Sequence, residues 1–132
     1  MKSNLDKFYK TNSIAETEGI WFNVGDDVRF RIKRFGGMNS QKVKAVSAKY
    51  FKPYSKLIQK GALPEEKERE IMVKTFVESS VVDWENVEID GELVEYSHEA
   101  CIKLLLGLSD LTDALIEYAS TFDSFKEDMG NS

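Results

Sequence analysis

His98 and Cys101 stand three residues apart, a spacing that lets them share one face of a helix. A thiol beside an imidazole is half of a metal site or an activated nucleophile. Neither chemistry can be completed, because the chain has no second His and no second Cys. The pair reads instead as a solvent-facing His near a helix start and a small apolar core Cys. Gly25-Asp26-Asp27 offers a cation only two carboxylates, against the roughly six or more oxygens that calcium takes, and turn chemistry accounts for it better. Gly36-Gly37 is not followed by the Lys-Ser/Thr of a phosphate loop. With no nucleophile, base and orienting group to assemble, the sequence predicts no catalytic residues, no cofactor and no metal, and hence a protein that is not an enzyme.

The chemistry that remains is electrostatic. Between Val28 and Pro64 stand ten basic residues and no carboxylate, whereas the rest of the chain holds 8 basic against 23 acidic residues. A net charge of −5 therefore conceals a positive middle, and such segregation speaks of partners rather than fold. The candidate partner-binding residues are Trp21, Arg29, Arg31 and Lys33 on one hairpin face, with Lys49, Lys52 and Lys56 on a helical stripe. Trp21, Tyr50, Phe51 and Tyr54 lie in or near that surface and suit protein anchoring or base stacking equally. The plainer alternative is a solvated face balanced by the acidic half of the same chain.

These residues need elements to position them. From Ile20 the sequence alternates, and a three-residue loop at Gly25-Asp26-Asp27 pairs Val24 with Val28, Phe22 with Phe30 and Ile20 with Ile32. A two-residue loop would slip that register by one, so it is rejected. Trp21 then stands opposite Arg31, within reach of an aromatic–guanidinium contact. Asn39 or Ser40 caps a helix running to Lys60 and stopping at Gly61, with Pro53 kinking it or splitting it after Lys52. Val43, Val46, Tyr50, Tyr54 and Leu57 form its apolar stripe. Pro64 opens a second, central helix that includes Val81 and Val82 and ends at Asp83-Trp84. Val87 to Tyr96 reads as a hairpin around Asp90-Gly91, with Val87 opposite Val94. Ser97 caps a leucine-rich helix, and Leu111, Leu115, Tyr118, Ala119 and Phe122 mark the last one.

The fold class is thus α+β: two β-hairpins with about four helices in a single small domain. Residues 1–18 read as a flexible arm with one short helical turn around Leu5 to Lys10, 19–123 as the globular domain and 124–132 as a frayed tail. At 132 residues and 42% hydrophobic content there is material for one core. No run approaches the ~20 apolar residues of a membrane span, and Met1 to Lys10 shows no secretory signal. A lone cysteine suits a reducing cytosol. The acidic balance argues against a dedicated nucleic-acid binder.

Several phrases together resemble the tail assembly chaperones of long-tailed bacteriophages and prophages. They are Gly19-Ile20-Trp21 with Val24-Gly25-Asp26, and Tyr50-Phe51-Lys52-Pro53-Tyr54 with Ile58 and Gly61. The most specific is Val82-Asp83-Trp84 leading to Val87, Asp90-Gly91, Val94 and Tyr96-Ser97. The resemblance covers about Gly19 to Phe122, and after Leu106 the chain departs from the family pattern, which often has an aromatic there. It implies a non-catalytic protein of the bacterial host cytoplasm that binds the tape measure protein, helps recruit tail tube protein and leaves before the tail matures. It maps no catalytic residue, implies no membrane partner and leaves room for a homo-oligomer. The alternatives from other classes are a nucleic-acid-associated protein using the basic 28–60 segment, and a structural tail component.

Overall fold

The helical turn expected around Leu5 to Lys10 is α1 (Asp6–Tyr9), but the arm is no free arm: it carries a second short helix, α2 (Ser13–Glu18), in the computed structural model, which describes residues 2–126. The Asn12 side chain accepts hydrogen bonds from the Ile14 and Ala15 N–H groups at 3.0 and 3.1 Å, which starts α2. Glu16 then inserts into the domain, buried, and pairs with Arg34. The polar composition hid this, because one buried ion pair does the anchoring in place of an apolar stripe. The C-terminal boundary shifts as well. Phe125 is buried, the Asn12 N–H donates to its carbonyl at 2.8 Å, and Thr11 bridges Lys126. The rest of the expected tail, 127–132, lies outside the described residues.

Alternation builds β1 (Ile20–Gly25) and β2 (Val28–Ile32), with Ile20 opposite Ile32, Trp21 opposite Arg31 and Phe22 opposite Phe30. The expected Val24–Val28 pair does not form. Gly25 faces Val28, and Val24 bulges out. Asp26 and Asp27 both take the left-handed backbone, at φ 49° and 63°, and close a two-residue turn whose twist matches the strands. The bulge absorbs the odd residue, so the shorter loop and the expected register coexist.

Beyond Ile32, the chain enters α3 (Ser40–Phe51), passes one tight turn over Lys52–Tyr54 and resumes as α4 (Ser55–Gln59). Pro53 splits the helix as its missing N–H requires. Asn39 caps nothing with its side chain; its amide donates to the Arg34 and Ser79 carbonyls, both at 3.0 Å, and joins two distant segments. Helix α5 (Glu65–Ser80) is central, with Val73, Phe76 and Val77 fully buried. Each such side chain contributes about 1.5–3 kcal/mol by leaving water.

The helix ends at Ser80, and Val81–Glu85 forms β3 against β2. Val81 and Val82 extend the apolar run of α5 in sequence, yet β-branched side chains pack better on a pleated strand, and the free edge of β2 takes them. The sheet order is β1-β2-β3. Strands β4 (Glu88–Ile89) and β5 (Glu92–Leu93) form a separate hairpin at Asp90-Gly91, with the Val94 N–H donating to the Val87 carbonyl at 3.0 Å. Two side chains tie it to the first sheet. The Trp84 indole N–H donates to the Val94 carbonyl at 2.8 Å, and the Tyr96 hydroxyl donates to the Val81 carbonyl at 3.0 Å.

Ser97 caps α6 (His98–Gly107), which turns sharply into α7 (Ser109–Ser120). Thr112 locks that corner by donating to the Leu105 carbonyl at 2.6 Å. The inner sheet face, through Phe30, Ile32, Val81 and Trp84, shares one core with α5, α6 and α7, while α3 packs on α5. The fold is α+β in one small domain, with no helix among the described residues long and apolar enough to cross a membrane.

A candidate docking surface of segregated charge

The outer face of the three-stranded sheet carries Trp21, Arg29 and Arg31 in the expected register. The guanidinium over the Trp21 ring belongs to Arg29, at 4.5 Å, and not to Arg31 directly opposite. The diagonal neighbour reaches better because Arg29 is also held from its far side. Its Nε and Nη2 donate to Glu85 Oε2 at 2.9 and 2.6 Å. Stacked on an indole and forked onto a carboxylate, Arg29 is a fixed part of the sheet. Arg31 makes no ion pair among the described residues, and neither does Lys33, whose backbone N–H donates to Ser80 at 2.7 Å.

The helical half divides the same way. Lys49 pairs with Glu78, which also accepts the Tyr50 hydroxyl. Those bonds hold the Glu78 carboxyl below its ordinary value and raise Lys49 and Tyr50 above theirs. Lys52 and Lys56 are exposed and unpaired among the described residues. The acidic half of the chain therefore neutralises Arg29 and Lys49 and leaves the half-buried Arg31 and Lys33 and the exposed Lys52 and Lys56 without an ion pair among the described residues. The two halves ride on different elements, the sheet face on β1–β2 and the stripe on α3–α4, and α3 rests on α5.

Two apolar grooves lie among the described residues, and the sequence reading missed both. The first, about 430 Å³, runs between α3 and α5 over Phe35, Val43, Phe51 and Met72, with Glu65, Glu68 and Arg69 at its margin. Thr75, whose hydroxyl has no hydrogen-bond partner among the described residues, also lines it. The second, about 710 Å³, lies between the β4–β5 hairpin and α6 over Ile89, Val94, Ala100, Leu104 and Leu108. Glu88, Asp90 and Glu99 rim it, with Lys103 beside them. One signal for it was available: from Thr75 to Ile102 the sequence holds eight carboxylates and neither Lys nor Arg, the mirror image of the basic window.

The tempting pair is separated. Cys101 is fully buried, and burial pushes its thiol up to about 12, which leaves no thiolate for catalysis near neutral pH. His98 is exposed, with its ring edge-on to Tyr96 at 5.9 Å. Among the described residues no group of three His, Cys, Asp or Glu side chains is arranged to hold a metal.

A family model described as YdaY prophage protein matches residues 38–131, well over half of the chain. The match takes in the lysine stripe, the second groove and all of the first except Phe35, and begins after the β1–β2 hairpin. No curated protein and no solved structure matches the chain.

Proposed function

The chain belongs to the YdaY prophage protein family, and from that premise we propose that it is a non-catalytic phage tail assembly chaperone of the bacterial host cytoplasm. It binds the helical tape measure protein and helps recruit tail tube subunits. The observation that carries this reading is an apolar groove with unpaired cations on the same helical segment: the α3–α5 cleft, with Lys52 and Lys56 following on from α3. A client helix with exposed apolar residues needs a groove for its stripe and charge for its flanks. Holding the unassembled form raises its solubility by mass action.

The test is co-purification of the tape measure protein with the Arg31→Glu/Lys52→Glu variant, its fold checked by circular dichroism. Loss of the client supports the reading, and unchanged recovery removes that surface from it. Arg31, Lys33, Lys52 and Lys56, which form no ion pair among the described residues, also suit a nucleic-acid-associated protein, which predicts DNA or RNA affinity falling steeply between low and moderate salt. A structural tail component would instead stay in purified particles.

A further inference from the structure

The two edges of the three-stranded sheet end differently. Along β3, side chains take up backbone groups: the Asp83 carboxylate accepts the Trp84 N–H at 2.8 Å, and the Tyr96 hydroxyl donates to the Val81 carbonyl at 3.0 Å. Along β1, no backbone group from Ile20 to Val24 forms a hydrogen bond outside the β1–β2 pair among the described residues. Such a row of unpaired donors and acceptors is a template for another strand. Natural edges are blunted by Lys, Pro or an inward-pointing charge, and β1 carries none of these. Its bulge at Val24 confines the pairable stretch to Ile20–Asn23.

The charges beside this edge differ between the two sheet faces. On the outer face Arg31 makes no ion pair among the described residues. A Cβ placed on Gly19 would meet the Arg31 Cγ at 3.2 Å, so the Arg31 stem leans from β2 across the start of β1. On the inner face a hollow of about 580 Å³ lies beside β1, lined by Phe22, Ala114, Tyr118 and Thr121 together with Glu117 and Asp123.

We propose that β1 is a strand-addition edge for an extended segment of another protein, with carboxylates on alternate residues and apolar side chains between them. Main-chain hydrogen bonds to Ile20–Asn23 supply affinity, and the alternation supplies selectivity. The carboxylates face Arg31, and the apolar residues lie along Phe22 in the hollow, where Glu117 and Asp123 repel a carboxylate. A second copy's β1 suits this edge poorly, because antiparallel pairing would continue one sheet with two basic faces on the same side. The edge lies outside the matched residues 38–131 and on different elements from α3 and α5. It stands whether or not their cleft holds a tape measure protein.

The probe is a heptapeptide of alternating Glu and Val with a terminal fluorophore, titrated against the full chain at low salt and followed by anisotropy. Binding is expected, and a peptide with Lys in place of every Glu should bind about tenfold or more weakly. N-methylation of alternate peptide amides needs no variant of the protein. Only every second N–H of an added strand faces β1, so one N-methylated set should lose about tenfold or more and the other about twofold or less. Amide exchange in the complex should slow in β1 and not in α3 or α4. Arg31→Gln, folded by circular dichroism, should weaken the Glu peptide about threefold or more and keep the same N-methyl pattern. A Glu peptide that does not bind overturns the proposal, as do equal losses from both N-methylated sets or a Lys peptide that binds as tightly. So does protection of β1 that appears without peptide as protein concentration rises, the mark of a second copy. Protection given by single-stranded DNA and not by the peptide would overturn it in favour of a nucleic acid. None of these outcomes involves the tape measure protein.

Discussion

Glu16 and Arg34 form an ion pair in which the carboxylate side chain is 1% exposed and the guanidinium side chain 21%. The pair joins α2 to the segment after β2, beside the Arg34 N–H that donates to the Glu16 carbonyl at 3.0 Å. One carboxylate oxygen, Glu16 Oε2, has no hydrogen-bond partner among the described residues, so the ion pair carries most of the compensation for burying this charge.

Removing the cation alone should therefore cost more than removing both partners. Arg34→Ala is expected to destabilise the fold by about 3 kcal/mol, since it leaves a buried carboxylate without its counter-ion. Adding Glu16→Ala should restore part of that loss in a double-mutant cycle read from urea midpoints. A single-variant loss below about 0.5 kcal/mol would show that the pair anchors nothing.

The Lys49–Glu78–Tyr50 cluster predicts a pH dependence with two limbs. Hydrogen bonds from Lys49 and Tyr50 lower Glu78, so its stabilisation is present above the unfolded carboxylate value and is lost as pH falls through the lower folded one. Lys49 and Tyr50 are raised by the same acceptor. Their contribution is complete below their unfolded values and is lost as pH rises through the folded ones. Glu78→Gln should flatten both limbs of a stability–pH profile, and a profile that keeps its shape would exclude the cluster as its source.

Trp84→Phe keeps most of the ring in the core and deletes the indole N–H that donates to Val94. A loss of about 1–2 kcal/mol is expected from the stranded carbonyl. Amide exchange should quicken in β4 and β5 more than in β1 and β2, because that bond ties the small hairpin to the sheet. Uniform acceleration would mean that the hairpin is held by something else.

Cys101 should resist a disulfide reagent at pH 8 in the native protein, being fully buried with its thiol raised to about 12. Labelling should track opening of the core and accelerate in mild denaturant. Cys101→Ser, which places a hydroxyl there, should destabilise by about 1–3 kcal/mol, with Cys101→Ala milder. Rapid labelling of folded protein would contradict the burial.

How much was legible depended on whether the signal was local. The pairing from Ile20 to Asn23, the break at Pro53, the Asp90-Gly91 turn and the Ser97 cap each follow from a few neighbouring residues. Strand β3 did not, because Val81 and Val82 continue a helical apolar pattern and only the open edge of β2 decides against it. The docking of α2 joins one charge to a partner eighteen residues away and adds backbone bonds to Arg34 and Phe125, none of them local in sequence. Of the candidate site, the residue types and their exposure on Lys52 and Lys56 were readable. The capture of Arg29 by Glu85, fifty-six residues on, was not, and neither were grooves formed between elements distant in sequence.

Thr11 and Lys126 lie side by side as bridge partners. The path of the backbone between them is thus a nearly closed loop. A molecule joined from Lys126 back to Thr11 and opened in the exposed stretch at Gly61-Ala62 would be synthesised with the central helix first and the basic hairpin late, reversing the order in which positive and negative charge leave the ribosome.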